Sequence, residues 1–448
     1  MQPKILTADD LFPDQQAAVE TILEFVADDF ASEMLVEGPA GSGKTSAIRV
    51  AVDELPEELR ERTVVCAPTN KAVKVARELS GGAIDTTTIF KLLSLSPQAN
   101  GEVKEIRQGD AYEDRMSKID LVLLDEASMN GSVLRPYIHR AIQDFGTKFV
   151  YIGDRYQLPP VNEPEGDISW VFRQVQRKIV LDKVKRHDNA ILNLATHLRN
   201  VMDNQCRGLK IVDDFNDVDG GVEVFTRGKH FDERILDTWN MLKEQDDRDF
   251  SGHRMLAWRN DRVHGYNDLV RETLYGRREA RDNPLMVGER IVVCNPVQSL
   301  QDDNEILMHT DEEGFIEQIS ISRHPKYEEV ECFKMVVLRE STNTVCGMYA
   351  PTPAGQRVVN RMLNHFKQKA TKEDRTFWGA FWRLKELMND VRPCHSLTTH
   401  RSQGSTFREV FVDADDILCN PSKREALQSL YVAITRAQFK AHIRWSGR

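Results

Sequence analysis

The sequence predicts an α/β protein with two parallel-sheet domains, a short arm inserted in the first and a small β-barrel inserted in the second. Three observations carry this. Strand and helix periods alternate from Val19 to Ile152, the same alternation returns from about Lys178 and again near the C-terminal end, and short β runs lie between those two stretches.

In order, Val19, Ile22, Leu23 and Val26 recur at helical spacing, and 33–37 (EMLVE) reads as a short buried strand. A glycine-rich turn opens a helix at about Lys44; strand 63–67 (TVVCA) and a helix marked by Ala72, Val75, Ala76 and Leu79 follow. Residues 85–118 are polar, turn-rich and too short for a domain, so they read as an inserted arm or hairpin. Strand 119–124, a helix with Leu134, Tyr137, Ile138 and Ala141, and strand 149–152 complete a first domain spanning 1–177. The second domain takes 178–284 and 391–448. Its helix carries Ile191, Leu194, Ala195 and Leu198, its strands are 254–258, 410–413 and 441–445, and a further helix holds Leu427, Leu430, Tyr431 and Ile434. Within 285–350 the runs RIVVC, ISIS and KMVVL suggest the barrel. Residues 351–390 form a helical extension, in which Phe377, Trp378, Phe381 and Trp382 read as packed core.

Composition narrows the class. A length of 448 residues, at ~100–200 per domain, allows about three or four domains, and 40% hydrophobic with 29% charged residues is ordinary for a globular chain. No run approaches the ~18 apolar residues of a membrane span, and acidic residues near the start argue against a secretion signal. Seven scattered cysteines without a CxxC pair read as reduced thiols, so a cytoplasmic location is expected and a zinc site is not. The net charge of −10 excludes a polycation but allows a local basic groove.

The chemistry concentrates in a few segments. Gly38-Pro39-Ala40-Gly41-Ser42-Gly43-Lys44-Thr45 matches GxxxxGK[ST] between a strand and a helix. Backbone N–H groups there wrap phosphates, Lys44 reaches the β/γ oxygens and Thr45 can hold Mg²⁺. Strand LVLL then delivers Asp125 and Glu126 to the sheet edge, Asp125 for Mg²⁺ and Glu126 to polarise attacking water. Gln157, in Gly153-Asp154-Arg155-Tyr156-Gln157-Leu158-Pro159-Pro160, follows a third strand, where it can contact a γ-phosphate. Arg186 and Arg436 are candidate arginine fingers; the helix carrying Tyr431 is expected to bury one face and leave Arg436 at its exposed end.

The order of these segments resembles superfamily-1 DNA helicases, most closely the Dda-type helicases of bacteriophages within the RecD-like 5′→3′ branch. The resemblance begins at Asp10-Leu11-Phe12-Pro13-Asp14-Gln15 and continues through the phosphate loop, Ala67-Pro68-Thr69-Asn70-Lys71-Ala72, the acidic pair, Gly153 to Val161, Leu181 to Arg186, Thr398 to Gly404 and Leu430 to Arg436. It implies two RecA-like domains, ATP and Mg²⁺ as cofactors, a strand-separating pin at the arm, and a Src-homology-type barrel. Gln15 would read adenine, and Gln403 and Gly404 would sit near the nucleotide. Pro68, Thr69, Asn70 and Phe90 from one domain, and Thr398 and His400 from the other, would touch DNA. Phe90 stands where relatives often have His, Ser405 and Thr406 where many place a ribose-binding Glu, and Arg401 replaces a usual Lys. The implied partners are single-stranded and forked duplex DNA, with single-strand-binding or replication proteins as further candidates. A monomer active in phage-type replication or recombination is expected. An RNA-directed helicase and a non-unwinding, ATP-gated DNA clamp or switch are the alternatives.

Overall fold

The computed structural model describes residues 7–79, 84–100, 103–160, 168–181, 190–216, 220–244, 250–302 and 305–447. The first sheet has six parallel strands, ordered Asp85–Thr88, Thr63–Ala67, Leu121–Leu124, Lys148–Gly153, Glu33–Glu37 and Lys178–Val180. Its central strands are covered on both faces, which is why they read as unbroken apolar runs. Met34, Val36, Leu121 and Leu123 pack with helices Pro13–Ala27 and Lys44–Asp53. Leu35, Val122 and Leu124 point the other way, into a core with Ile138, Tyr151 and Trp170.

The second sheet also has six strands, ordered Ser396–Thr398, His253–Ala257, Phe407–Asp413, Ala437–Arg444, Gly220–Phe225 and Asp214–Asn216; only the last pairing is antiparallel. Two parallel, RecA-like lobes therefore form the core of the chain, as expected. The insertion in the second lobe is a five-stranded antiparallel sheet accompanied by a two-stranded one, around Val293, Ile316, Met335 and Val337. Its extension is a pair of packed helices, Pro353–Lys372 and Phe377–Leu387. Phe381 is buried there and Phe377, Trp378 and Trp382 are half-buried, so the aromatic set is mainly packing. Among the described residues no helix is long and apolar enough to cross a membrane.

Three boundaries differ from the sequence reading. Asp85–Thr88 belongs to the first sheet, so the arm proper is the hairpin Leu95–Asn100/Val103–Gln108 with its flanking short helices. As an edge strand it pairs on one side only, so its three threonines need not be apolar. Lys178–Val180 pairs with the strand before the phosphate loop, at the opposite edge of that sheet, and is too short to show a period. Val391–Pro393 pairs with Arg290–Val293 in the insertion, again at an edge, where Pro393 is tolerated.

Candidate nucleotide and nucleic-acid site

The strand Glu33–Glu37 ends in the phosphate loop, which runs straight into the helix starting at Lys44. Two of its glycines are required by space. A Cβ at Gly38 would lie 2.7 Å from Ser42 Oγ, and one at Gly43, where φ is +81°, would fall 1.8 Å from Gln15 Nε2. Gln15 thus lies directly on the loop, donating to the Ser42 carbonyl at 3.1 Å while its Oε1 accepts from the Phe12 N–H. Lys44 Nζ donates to the carbonyls of Gly38 at 2.6 Å and Pro39 at 3.0 Å, and the buried Ser42 hydroxyl has no partner among the described residues. A lysine held only by loop carbonyls and an orphaned hydroxyl fit an incoming polyphosphate.

Two strands away, Leu121–Leu124 delivers the acidic pair. Asp125 accepts the Glu126 N–H at 2.8 Å and lines, with Thr45, one cavity of about 70 Å³. Burial raises the Asp125 pKa against that hydrogen bond and the Lys44 charge. Glu126 has φ +53°, a left-handed conformation that is sterically costly for a residue with a side chain. Burial and then the Asp125 charge push its carboxyl up to about 7, with Arg436 and Lys44 opposing.

Arg436 departs from the sequence expectation. It is 6% exposed, not solvated, with Nε on the Val432 carbonyl and Nη1 on the Ser405 carbonyl, both at 3.1 Å. The physical reason is that helix Lys423–Thr435 buries residues on every face, from Ala426 to Ile434, so its end is enclosed too. Burial lowers the guanidinium pKa and the Glu126 carboxylate opposes that shift, which places the two charges in one electrostatic field across the lobe interface.

The loop 153–160 joins the lobes. Arg155 pairs with Glu37 on the phosphate-loop strand, while Leu158 is fully buried in the second lobe's core. Tyr156 donates to Asp203 at 2.5 Å, Gln403 to the Leu158 carbonyl and Gln428 to the Gln157 carbonyl, each of the latter at 3.1 Å. The Gln157 Oε1 is buried without a partner among the described residues, leaving an acceptor in this interface. Most direct is Tyr431, whose hydroxyl donates to Asp154 at 2.6 Å and accepts from the Ala40 N–H of the phosphate loop at 3.3 Å. Sequence reasoning missed Leu158 and Gln428 as bridging residues; an apolar residue among loop polars was the one available signal. Arg186 lies outside the described residues.

The candidate strand-contacting residues lie at strand ends in both lobes. Pro68, Thr69 and Asn70 follow Thr63–Ala67; Thr69 Oγ1 accepts the Ala72 N–H at 3.2 Å and Asn70 is exposed. Thr398 ends Ser396–Thr398 and caps a short helix through the Arg401 N–H. His400 is half-buried and 3.8 Å from Glu425, with its pKa lowered by burial. Phe90 is half-buried against the first lobe's core. A Cβ at Gly404 would lie 3.6 Å from that of Ala72, so the two motif sets face each other across the interface; Gln403 is turned to loop 153–160.

A family model described as an AAA domain matches residues 10–221, and a UvrD-like helicase C-terminal domain model matches 393–443. The chain is 24% identical to the ATP-dependent DNA helicase Dda of Enterobacteria phage T4, over 97% of this chain and 99% of the relative. It is 25% identical to an uncharacterised protein of Acanthamoeba polyphaga mimivirus, over 94% and 97%. A 169-residue stretch is 32% identical to the ATP-dependent RecD2 DNA helicase of Deinococcus radiodurans, covering 35% of this chain and 22% of that one. Solved Pif1 helicases share the fold. A structure of two Pif1 helicases at forked duplex DNA gives a TM-score of 0.55 at 17% identity, covering 96% of this chain and 91% of that one. Bacteroides Pif1 with ADP-AlF3 and single-stranded DNA gives 0.52 at 16%, over 95% and 91%.

Two RecA-like lobes closing on a phosphate loop, an acidic pair and a buried arginine define a superfamily-1 helicase. Within that superfamily the chain is similar to the Dda and RecD2 helicases.

Proposed function

We propose that this chain hydrolyses ATP with Mg²⁺ to move 5′→3′ along single-stranded DNA and to separate the duplex ahead of it. The observation that supports this best is that Lys44, Glu126 and Arg436 converge from both lobes on one interface that loop 153–160 spans. In this reading Lys44 would turn from its loop carbonyls to phosphate oxygens, Gln15 would orient the base, and Thr45 and Asp125 would hold the metal. Glu126 orients water, Arg436 neutralises charge on the transferring phosphoryl, and Arg186 is proposed to join it. Pro68, Thr69, Asn70, Phe90, Thr398 and His400 grip the strand alternately as the lobes open and close.

Direction is inferred from the insertion pattern, a small hairpin in the first lobe and a β-rich insertion in the second. The test is unwinding of duplexes bearing a single 5′ or a single 3′ tail. Only the 5′-tailed substrate should be unwound, and efficient unwinding from the 3′ tail alone overturns the polarity. Hydrolysis without strand displacement would favour a clamp, and stimulation by RNA above DNA an RNA-directed enzyme.

A further inference from the structure

We infer that the exposed face of helix Pro353–Lys372 is a docking surface for the phosphate backbone of duplex DNA ahead of the fork, an inference that rests on the function proposed above. In a chain of net charge −10, this helix of 20 residues holds five Lys/Arg and no Asp or Glu. Its apolar side is already used: Val359 is buried and Phe366 stacks on Phe377 of the neighbouring helix. Arg357, Arg361 and Lys372 are exposed, and among the described residues no ion pair reaches any of them.

Helix stability does not account for this pattern. Lys369 and Lys372 sit in the last turn, where the helix macrodipole favours cations, but the first turn carries no acid and Arg357 and Arg361 lie in the N-terminal half. A merely solvated face of a soluble protein carries both signs interspersed. This helix carries one sign only, the acids nearby, Glu386 and Asp390, lining the groove from the following segment.

Its position selects the partner. A groove of about 1270 Å³ separates this helix from the first lobe's hairpin, with Ser96 and Pro97 on one wall and Gln356, Asn360 and Trp382 on the other. Arg357 and Arg361 directly follow Gln356 and Asn360, so they stand about 100° around the helix from the groove wall. From Arg357 to Lys372 the helix rises about 22 Å, against a phosphate every ~3.4 Å along each strand of a duplex. A duplex parted at the hairpin would run alongside this row of cations. An acidic protein segment would satisfy the charge as well, but nothing about it calls for the hairpin opposite.

The experiment uses the full chain with Arg357→Gln, Arg361→Gln and Lys372→Gln combined, beside a charge-keeping Arg357→Lys/Arg361→Lys variant. Affinities are measured for a forked duplex and for the same single strand across a salt series, with strand-stimulated ATPase alongside. The neutral variant should lose about tenfold or more in fork affinity, and its slope of log K against log salt should flatten by about 2 to 3. Its single-strand affinity and ATPase should stay within about twofold of the parent, and the lysine variant should bind forks like the parent. Equal losses on fork and single strand would assign the surface to the tracking strand, and an unchanged fork affinity would leave it a solvated face or a site for an acidic protein; either result overturns the inference. Absence of strand-stimulated ATPase in the parent would instead count against the helicase reading.

Discussion

Tyr431→Phe isolates the connection between the lobes. The ring is fully buried, and phenylalanine keeps its shape, so the fold and its Tm should change little. What disappears is the hydroxyl that donates to Asp154 at 2.6 Å and accepts from the Ala40 N–H at 3.3 Å. Burial and the Asp154 charge raise the Tyr431 pKa well above its ordinary value, so it is a donor throughout the working pH range. A hydrogen bond to a charged acceptor contributes ~1.5–3 kcal/mol, or about 10- to 150-fold in an equilibrium. Since helix Lys423–Thr435 carries Tyr431 and is followed directly by Arg436, that factor should fall on the closed arrangement in which Arg436 is proposed to meet the phosphates. Steady-state ATPase with saturating single-stranded DNA should show kcat/KM for ATP lower by about one to two orders of magnitude. A cycle with Asp154→Asn tests the cause: the double variant should be no worse than the poorer single one. A change of less than about twofold, or strictly additive losses, would refute the reasoning.

Lys44→Ala should nearly abolish strand-stimulated ATPase in a folded protein, and substantial turnover would remove the phosphate-loop assignment. Arg436→Ala should lower kcat by about 10³-fold or more with much smaller effects on nucleotide binding; a loss within tenfold would leave it a structural arginine holding the Val432 and Ser405 carbonyls. His395 is fully buried, and burial, then Arg254, Arg271 and Arg290, lower its pKa to about 3. Folding therefore disfavours its protonation, so its contribution is intact above the unfolded value of ~6.5 and is lost as pH falls toward 3, at about 1.4 kcal/mol per pH unit. His395→Leu should lose less Tm than the parent between pH 7 and 5, and parallel Tm profiles would show that this histidine does not set acid sensitivity.

The lobes were legible because their central strands are buried on both faces and so appear as unbroken apolar runs such as LVLL and TVVCA. The phosphate loop was legible for a related reason: Gly38 and Gly43 stand where a side chain would strike Ser42 or Gln15, and that need is written locally. Edge strands were not, because Asp85–Thr88 and Val391–Pro393 pair on one side only and carry no pattern that burial would impose. Arg436 was misplaced for a third reason. Whether a helix buries one face or all of them depends on what the other lobe and the sheet lay against it, and one segment's periodicity cannot register that.

The insertion makes the same point about charges. Glu313 stands in the polar turn Asp311-Glu312-Glu313-Gly314, which by sequence alone is a solvated acidic bend. In the fold it is buried against Arg254 of the second sheet at 2.5 Å and Arg290 of the insertion at 2.8 Å, and Lys71 of the first lobe lies 3.4 Å away. Burial works to raise its pKa, yet Arg254, Lys71 and Arg290 outweigh it and hold the carboxyl well below the usual range. A buried ionic cluster of this kind adds little stability over an apolar one but tolerates few alternative arrangements. Lys71 directly follows Asn70, and Arg401, which follows His400, lies 3.5 Å from Asp311 in the same turn. One turn of the insertion is thus paired to the residue beside a candidate strand contact in each lobe. The insertion therefore ties together the segments that carry the candidate strand contacts of the two lobes.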